Sequence, residues 1–276
     1  MRLLPAAAFV AAPLLACAAP ALAADIAIET PVAVEAIQQD GWLVTLKATG
    51  TITPKFEGSG KYGVSGMPGL SIRRPNQPWK FGAPDDGFGF PVLDTAWFQA
   101  GPVARIRGER DSSDDHKFRG MRDIDWAIEP GLFVEFYPYE KIRVRGEVRH
   151  GVWGHSGFVG NVSADWIERF DRLVISVGPR MEIGDGKFMD TYYGVNGPEA
   201  LRNGRVSPYK ADGGIKSVGF ASAVTYDWTE HWSSTLFGGY DRLTGDAAKS
   251  PVAKTLGSKN ALTVGLGVAY TFGVNW

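Results

Sequence analysis

Polar and apolar residues alternate with period two along most of the chain. In Ile124–Phe136 one face carries Ile124, Trp126, Ile128, Pro130, Leu132, Val134 and Phe136, and the other Asp125, Ala127, Glu129, Gly131, Phe133 and Glu135. In Ile142–His150, Ile142, Val144 and Val148 oppose Arg143, Arg145, Glu147 and Arg149. Leu173–Ile183 and Leu262–Phe272 repeat the pattern, and Trp42–Ile52, Val64–Arg73, Phe98–Arg107, Val162–Phe170, Ser217–Trp228 and Trp232–Arg242 follow it more loosely. Strict alternation predicts strands with one apolar and one polar face. No stretch carries a helical period, and Phe188–Val195 reads as a further candidate strand.

Turn signals separate the runs at Asp85-Asp86-Gly87, Tyr137-Pro138-Tyr139, Phe170-Asp171-Arg172 and Trp228-Thr229-Glu230-His231, the spacing of antiparallel hairpins. Longer polar connections fall at Gly108–Arg119, Gly184–Gly214 and Thr244–Asn260. Short turns at one end and long loops at the other predict an all-β fold, an antiparallel transmembrane β-barrel. Ten or eleven segments read as strands; an even count with both termini on one side gives twelve, with ten as the alternative.

A soluble β-sandwich or lipocalin-like barrel also alternates, with its charged face outward. Three features favour the membrane version. Trp42, Trp97, Trp126, Tyr137, Tyr139, Trp166, Trp228 and Trp232 sit at strand ends, where a lipid interface places aromatics. Gly265, Gly267 and Ala269 on the polar face suit a crowded lumen. The final strand runs to an aromatic, Trp276. Inverting the faces turns the charges inward: Arg105, Arg107, Glu109, Asp123, Asp125, Glu129, Glu135, Arg143, Arg145, Glu147, Arg149, Arg180 and Glu182 then line neighbouring strands. Opposite charges about 5 Å apart across strands pair into a ladder. That ladder is either a salt-bridged plug or the wall of a narrow polar channel.

The amino terminus fixes the route. Met1–Ala23 carries one charge, Arg2, then an Ala/Leu/Pro run ending in Ala21-Leu22-Ala23, the form of a cleaved secretory signal, which leaves residues 24–276 as the barrel. The one cysteine, Cys17, lies in the signal, so disulfides, thiol chemistry and cysteine-held metal are excluded from the mature chain. Leu14-Leu15-Ala16-Cys17 also resembles a lipoprotein cleavage box, which makes Cys17 an alternative lipidated first residue. After Ala24 no uncharged apolar run approaches the ~18 residues of a membrane helix.

The 276 residues hold 29 Lys+Arg against 30 Asp+Glu, a balance that excludes an electrostatic nucleic-acid binder. The 35 glycines and 12% aromatics exclude a helix bundle and a disordered chain. Motifs for catalysis or metal are weak. His150 and His155 fall five apart, on opposite faces of one strand, and read as rim residues rather than joint ligands. Asp111-Ser112-Ser113-Asp114-Asp115-His116 is an acidic loop that either holds a divalent cation or is simply a polar loop. Ser207-Pro208-Tyr209-Lys210 matches Ser-x-x-Lys without its Lys-Thr-Gly companion, no Gly-x-Ser-x-Gly occurs, and no phosphate-binding glycine loop opens a helix. No catalytic residue, cofactor or metal site is expected.

Thr191-Tyr192-Tyr193-Gly194-Val195, then Tyr209-Lys210-Ala211-Asp212-Gly213-Gly214-Ile215, and above all Tyr240-Asp241-Arg242-Leu243-Thr244-Gly245-Asp246-Ala247-Ala248-Lys249-Ser250-Pro251-Val252 resemble the MltA-interacting protein (MipA/OmpV) family. Gly257-Ser258, the last strand ending in Tyr270-Thr271-Phe272, Pro54–Ser59 and Gly120–Asp125 fit as well, so the resemblance covers essentially the whole mature chain. Tyr193 stands where the family more usually has Phe. The resemblance implies a porin-like barrel in the outer membrane of a Gram-negative bacterium, without enzymatic activity. It implies a scaffold that brings a lytic transglycosylase together with a penicillin-binding protein, coupling murein cutting to synthesis; other members are linked to adhesion, osmotic or antibiotic response. In the signature itself, Gly245 permits a tight turn, Asp246 caps local amides and Pro251 stops strand pairing. A narrow outer-membrane channel for a small solute or antibiotic is the alternative.

Overall fold

The computed structural model describes residues 41–75 and 80–274, and the signal segment and Cys17 lie outside the described residues. One antiparallel sheet of twelve strands dominates them: β1 (Trp42–Pro54), β2 (Tyr62–Arg73), β3 (Phe88–Gly89), β4 (Leu93–Asp94), β5 (Phe98–Arg107), β6 (Ala127–Tyr139), β7 (Ile142–His150), β8 (Phe158–Phe170), β9 (Leu173–Gly184), β10 (Gly214–Asp227), β11 (Trp232–Leu243) and β12 (Asn260–Val274). Ten strands are long; β3 and β4 have two residues each and lie in succession along the same edge of β5. The order is β2-β1-β12-β11-β10-β9-β8-β7-β6-β5-β3, so the first and last long strands pair, from Trp42 opposite Val274 to Ile52 opposite Val264.

The faces are inverted relative to a soluble protein. Leu132 is 67% exposed on the outer face of β6, whereas its inward neighbours Glu129 and Glu135 are 0% and 2% exposed. Leu46, Val148, Phe220, Leu236 and Leu266 are likewise exposed outside. Such a belt on a water-facing surface is unfavourable by roughly 25 cal/mol per Å², and hydrocarbon removes that penalty. Aromatics border it at both ends: Trp228, Trp232 and Tyr270 cluster at the rim where β1 starts and β12 ends, with Trp232 and Tyr270 ring centroids 4.8 Å apart. Trp126 and Trp153 pair at 5.1 Å at the other rim. The start of β1, the end of β12 and the short turns share the inner rim, the periplasmic side in such barrels, and the long connections share the outer rim.

The outer connections are folded rather than loose. They contain three helices, α1 (Gly186–Tyr193), α2 (Gly197–Asn203) and α3 (Gly245–Lys249), a 3-10 turn at His116–Phe118 and a π turn at Val252–Leu256. The strand expected over Phe188–Val195 is therefore helix α1. Asp185 caps it by accepting from the Phe188 N–H at 2.8 Å, and Phe188, Met189, Tyr192 and Tyr193 recur with helical spacing on its buried face. Alternation also overran at one strand start: β6 begins at Ala127, while Ile124 bridges Arg110 in the cap and is buried there.

Candidate functional site

Among the described residues buried charge concentrates in the lumen, on strands whose inward residues are Arg and Glu. Arg107 on β5 reaches Glu129 at 2.6 Å on β6 and Glu182 at 2.9 Å on β9, and also pairs with Glu57 from the β1–β2 connection. Arg149 joins Glu129 at 3.1 Å and Glu147; Arg145 joins Glu147 at 2.8 Å and Glu135 at 3.0 Å. Arg143 sits among Asp86 at 2.5 Å, Glu135 at 2.7 Å and Asp165 at 2.9 Å, with its own side chain wholly buried. Arg180 bridges Asp165 at 2.7 Å and Asp85 at 2.6 Å. Arg105 donates to the Asp85 carbonyl at 2.7 Å and lies 3.7 Å from Glu147. Each cation shares carboxylates with the next, so the pairs form one continuous chain through the lumen.

Sequence patterning placed Arg105, Arg107, Glu129, Glu135, Arg143, Arg145, Glu147, Arg149, Arg180 and Glu182 on inward faces, and the structure brings these together. It does not bring in three others. Asp125 is exposed, because the chain turns into the cap before β6 begins, and it forms no part of the ladder. Glu109 is exposed beyond the end of β5. Asp123 accepts from the Ser112 N–H at 2.7 Å in the outer loop.

Five members were not foreseen. Asp85 and Asp86 belong to residues 80–87, which pass through the lumen instead of turning at a rim; Phe81 and Ala83 pack there on Ile167 and Val174. Asp165 is in the alternating run of β8. Glu57 accepts Lys216 Nζ at 3.1 Å and the Tyr193 hydroxyl at 3.0 Å. Lys216 also meets Glu182 at 2.5 Å. Simple alternation with Val218 and Phe220 aims Lys216 at lipid; a bulge between Ile215 and Ser217 turns it inward, and Lys216 and Ser217 are both buried. A lysine on an apolar strand face is the signal that marks such a bulge.

Histidine takes a structural part. His155 is buried, receives the Gly157 N–H on Nδ1 at 3.2 Å and therefore donates from Nε2 to Glu129 at 3.0 Å. His150 packs edge-to-face with Phe158, ring centroids 4.6 Å apart. In the acidic loop, Asp114 pairs with Lys55 at 3.2 Å and Asp115 with Lys61 at 3.3 Å. Among the described residues no group of three His, Cys, Asp or Glu assembles a metal site.

The other half of the lumen differs. Strands β1, β2, β11 and β12 face it with Thr45, Thr49, Thr51, Ser65, Thr235, Gly265 and Gly267. Hydroxyls pair across strands, Thr45 with Thr271 at 2.8 Å, Thr53 with Thr263 at 3.0 Å and Thr225 with Thr235 at 2.9 Å. Phe237 lies over Gly265, where a Cβ would come within 2.2 Å of its ring.

The signature residues build the cap over the outer rim. Tyr192, Tyr193, Ala247, Val252 and Leu256 are buried in one cluster with Phe56, Phe118, Phe188 and Met189. Ser250, fully buried, donates to the Tyr193 carbonyl at 2.5 Å and accepts from the Val252 N–H at 3.1 Å. Gly245 adopts φ +50°, a left-handed turn that a side chain disfavours. The Asp246 carboxylate accepts from the Asp212 N–H at 3.2 Å, and Pro251 caps the π turn. Tyr240 and Arg242 both donate to the Asn260 side chain at 2.9 Å, tying β11 to β12. Leu243 packs on the cluster, and Gly194, where a Cβ would meet Asp190 at 2.3 Å, ends α1. Burial, with the Glu57 charge, pushes the Tyr193 hydroxyl well above the usual tyrosine range. Burial and the Arg122 charge pull Arg110 down to about 10; its guanidinium donates to the Tyr192 carbonyl at 2.9 Å.

A family model described as MltA-interacting protein MipA matches residues 46–272. Among curated proteins, no sequence matches significantly. An outer membrane channel from Pseudomonas putida F1 aligns at 9% identity over 88% of this chain and 99% of its own, with a TM-score of 0.43. The NanC porin aligns at 6% identity over 82% and 98%, TM-score 0.40. The N-terminal β-barrel domain of Pseudomonas aeruginosa OprF aligns at 8% identity over 83% and 97%, TM-score 0.29.

Proposed function

The chain belongs to the MltA-interacting protein MipA family, an outer-membrane barrel, and on that premise we propose that it is a non-catalytic scaffold. Its partners are a lytic transglycosylase and a penicillin-binding protein, held on the periplasmic side so that murein cutting and synthesis stay together. The observation that supports this reading is the use of the lumenal charge: Arg107, Arg143, Arg145, Arg149, Arg180 and Lys216 are all paired with carboxylates, leaving a stiff, plugged body. A barrel spent on rigidity suits a platform. Its inner rim offers short turns at Glu140-Lys141, Asp171-Arg172 and Thr229–His231. The test is a co-purification of the full-length protein in detergent with both purified enzymes. The expected result is a ternary complex that neither enzyme forms with the other alone; retention of neither enzyme overturns the reading.

A second reading, a narrow pore, rests on the hydroxyl-lined half of the lumen. It predicts small steady conductance in planar bilayers, with ion selectivity that changes on neutralising Lys47, the cation on the inward face of β1 in that half. A scaffold predicts no such change.

A further inference from the structure

The charge balance of the whole chain hides a local surplus on the outer cap. The β5–β6 connection supplies Lys117, Arg119 and Arg122, and the β9–β10 connection supplies Arg202 and Arg205. Hydrogen bonds from side chains to backbone weld the two connections together. Asn203 Nδ2 donates to the Lys117 and Arg119 carbonyls, each at 2.8 Å, and Arg202 Nε donates to the Gly120 carbonyl at 3.1 Å. The Arg122 N–H donates to Glu199 on α2 at 2.9 Å. Gly120 permits the close approach: it adopts φ +91°, and a Cβ there would come within 2.9 Å of the Arg202 carbonyl carbon, so a side chain would displace α2.

The weld gathers cations that nothing neutralises. Lys117, Arg119, Arg202 and Arg205 are all exposed, and among the described residues none of the four makes an ion pair. The carboxylates of the same connections are engaged elsewhere. Asp114 and Asp115 pair with Lys55 and Lys61, Asp111 and Asp123 accept from the Ser113 and Ser112 N–H groups, and Glu199 is buried with Arg122 Nε at 3.3 Å. Arg110 adds a buried cation, 1% exposed, whose guanidinium donates to the Tyr192 and Arg122 carbonyls and makes no ion pair among the described residues. Unneutralised like charge on one folded surface favours a multivalent anion.

The opposite end of α2 adds a recess. A cleft of about 380 Å³ opens there, and its walls include Arg122, Asp190, Asn196, Tyr209 and Lys210. With seven residues α2 is about 10 Å long, so the cleft and the cations belong to one face of the cap. The cleft mixes cations with a carboxylate, an amide and a phenol, a set of donors and acceptors that suits sugar hydroxyls. Phosphate beside sugar is the chemistry that meets both features, and the cap stands at the outer rim, level with the headgroups of the outer leaflet.

We propose that this face of the cap binds a phosphorylated glycolipid of the outer leaflet, a lipopolysaccharide, with its phosphates on Lys117, Arg119, Arg202 and Arg205 and a sugar in the cleft beside Arg122. This goes beyond the scaffold and does not depend on it. The test is native mass spectrometry of the full-length protein in detergent, titrated with lipopolysaccharide and with the same lipopolysaccharide stripped of its phosphates. The phosphorylated form binds about tenfold more tightly, and the triple variant Lys117→Ser, Arg119→Ser, Arg205→Ser erases that difference. A control triple variant in another outer connection, Lys249→Ser, Lys254→Ser, Lys259→Ser, keeps it. Equal binding of the two forms by the wild type, or equal losses in the two triple variants, overturns the proposal. Inorganic phosphate competes poorly; complete displacement by it assigns the face to small anions and overturns the glycolipid. The comparison of the two forms needs only the wild-type protein, so it decides the matter even where a variant fails to fold. A failed enzyme co-purification with phosphate-dependent binding removes the scaffold alone.

Discussion

The two halves of one lumen solve the same problem with opposite chemistry. From β5 to β9 the inward positions hold long charged side chains that meet across the curl, as Arg107 does with Glu182. From β11 round to β2 they hold mainly Thr, Ser and Gly, with Lys47 and Phe237 among them, and the hydroxyls pair only with the adjacent strand. The charged half fills its space and becomes interdependent, since Arg107, Arg143, Arg145, Arg149 and Arg180 each serve two or three carboxylates. The hydroxyl half carries shorter side chains, and each hydroxyl pair stands alone. Charge inside a barrel is therefore no sign of a conduit by itself; what matters is whether it is paired.

The contrast sets the order of mutational effects. The largest belongs to Arg143→Ala, which removes the guanidinium that Asp86, Glu135 and Asp165 share and leaves them only the flanking Arg145 and Arg180; losses of about 3–5 kcal/mol follow from breaking buried pairs of this kind. Urea titration of the refolded barrel, followed by heat-modifiable gel mobility, reads it. Next comes Ser250→Ala in the cap, which orphans the Tyr193 carbonyl and the Val252 N–H at a cost of about 1–3 kcal/mol and loosens the outer connections to protease. The smallest is Thr45→Val, where loss of one half-buried hydroxyl pair costs about 0.5–1 kcal/mol, read by the same titration. Equal losses for Arg143→Ala and Thr45→Val break the comparison.

The cap adds a pH signature. Tyr193 has its folded pKa raised by burial and by Glu57, so its contribution to stability is complete below the ordinary tyrosine value, about 10, and is lost as pH rises through the higher folded value. Stability measured above about pH 10 falls in the wild type, and Tyr193→Phe flattens that fall.

Most of the strands were legible because lipid demands a strict apolar face, and period two survives wherever both sides of a strand are defined. Legibility ended where the chain leaves that constraint. Asp85-Asp86-Gly87 has turn chemistry, which says nothing of whether the turn sits at a rim or inside the lumen, and so the inserted segment was invisible. Ile124 continued the alternation by coincidence, drawing Asp125 into the ladder. The helical spacing of Phe188, Met189, Tyr192 and Tyr193 was present but short enough to pass for a strand. Ladder partners on adjacent strands followed from alternation; Arg107 with Glu182, four strands apart, required the curl itself. The signature from Tyr240 to Pro251 identified a family before it revealed its work, which is to pack and tie the cap.

The unequal lumen is tested most directly by water-soluble maleimide labelling of single cysteines in a chain whose only native cysteine is Cys17. Cysteines at Thr49 and Thr51, half-buried in the hydroxyl-lined half, label rapidly in the bilayer-embedded protein. Cysteines at Phe133 and Ser176, 3% and 4% exposed in the charged half, stay unlabelled until the protein is unfolded. Labelling of Ser176 and Phe133 at the rate of Thr49 would contradict the division of the lumen into a plugged half and an open one.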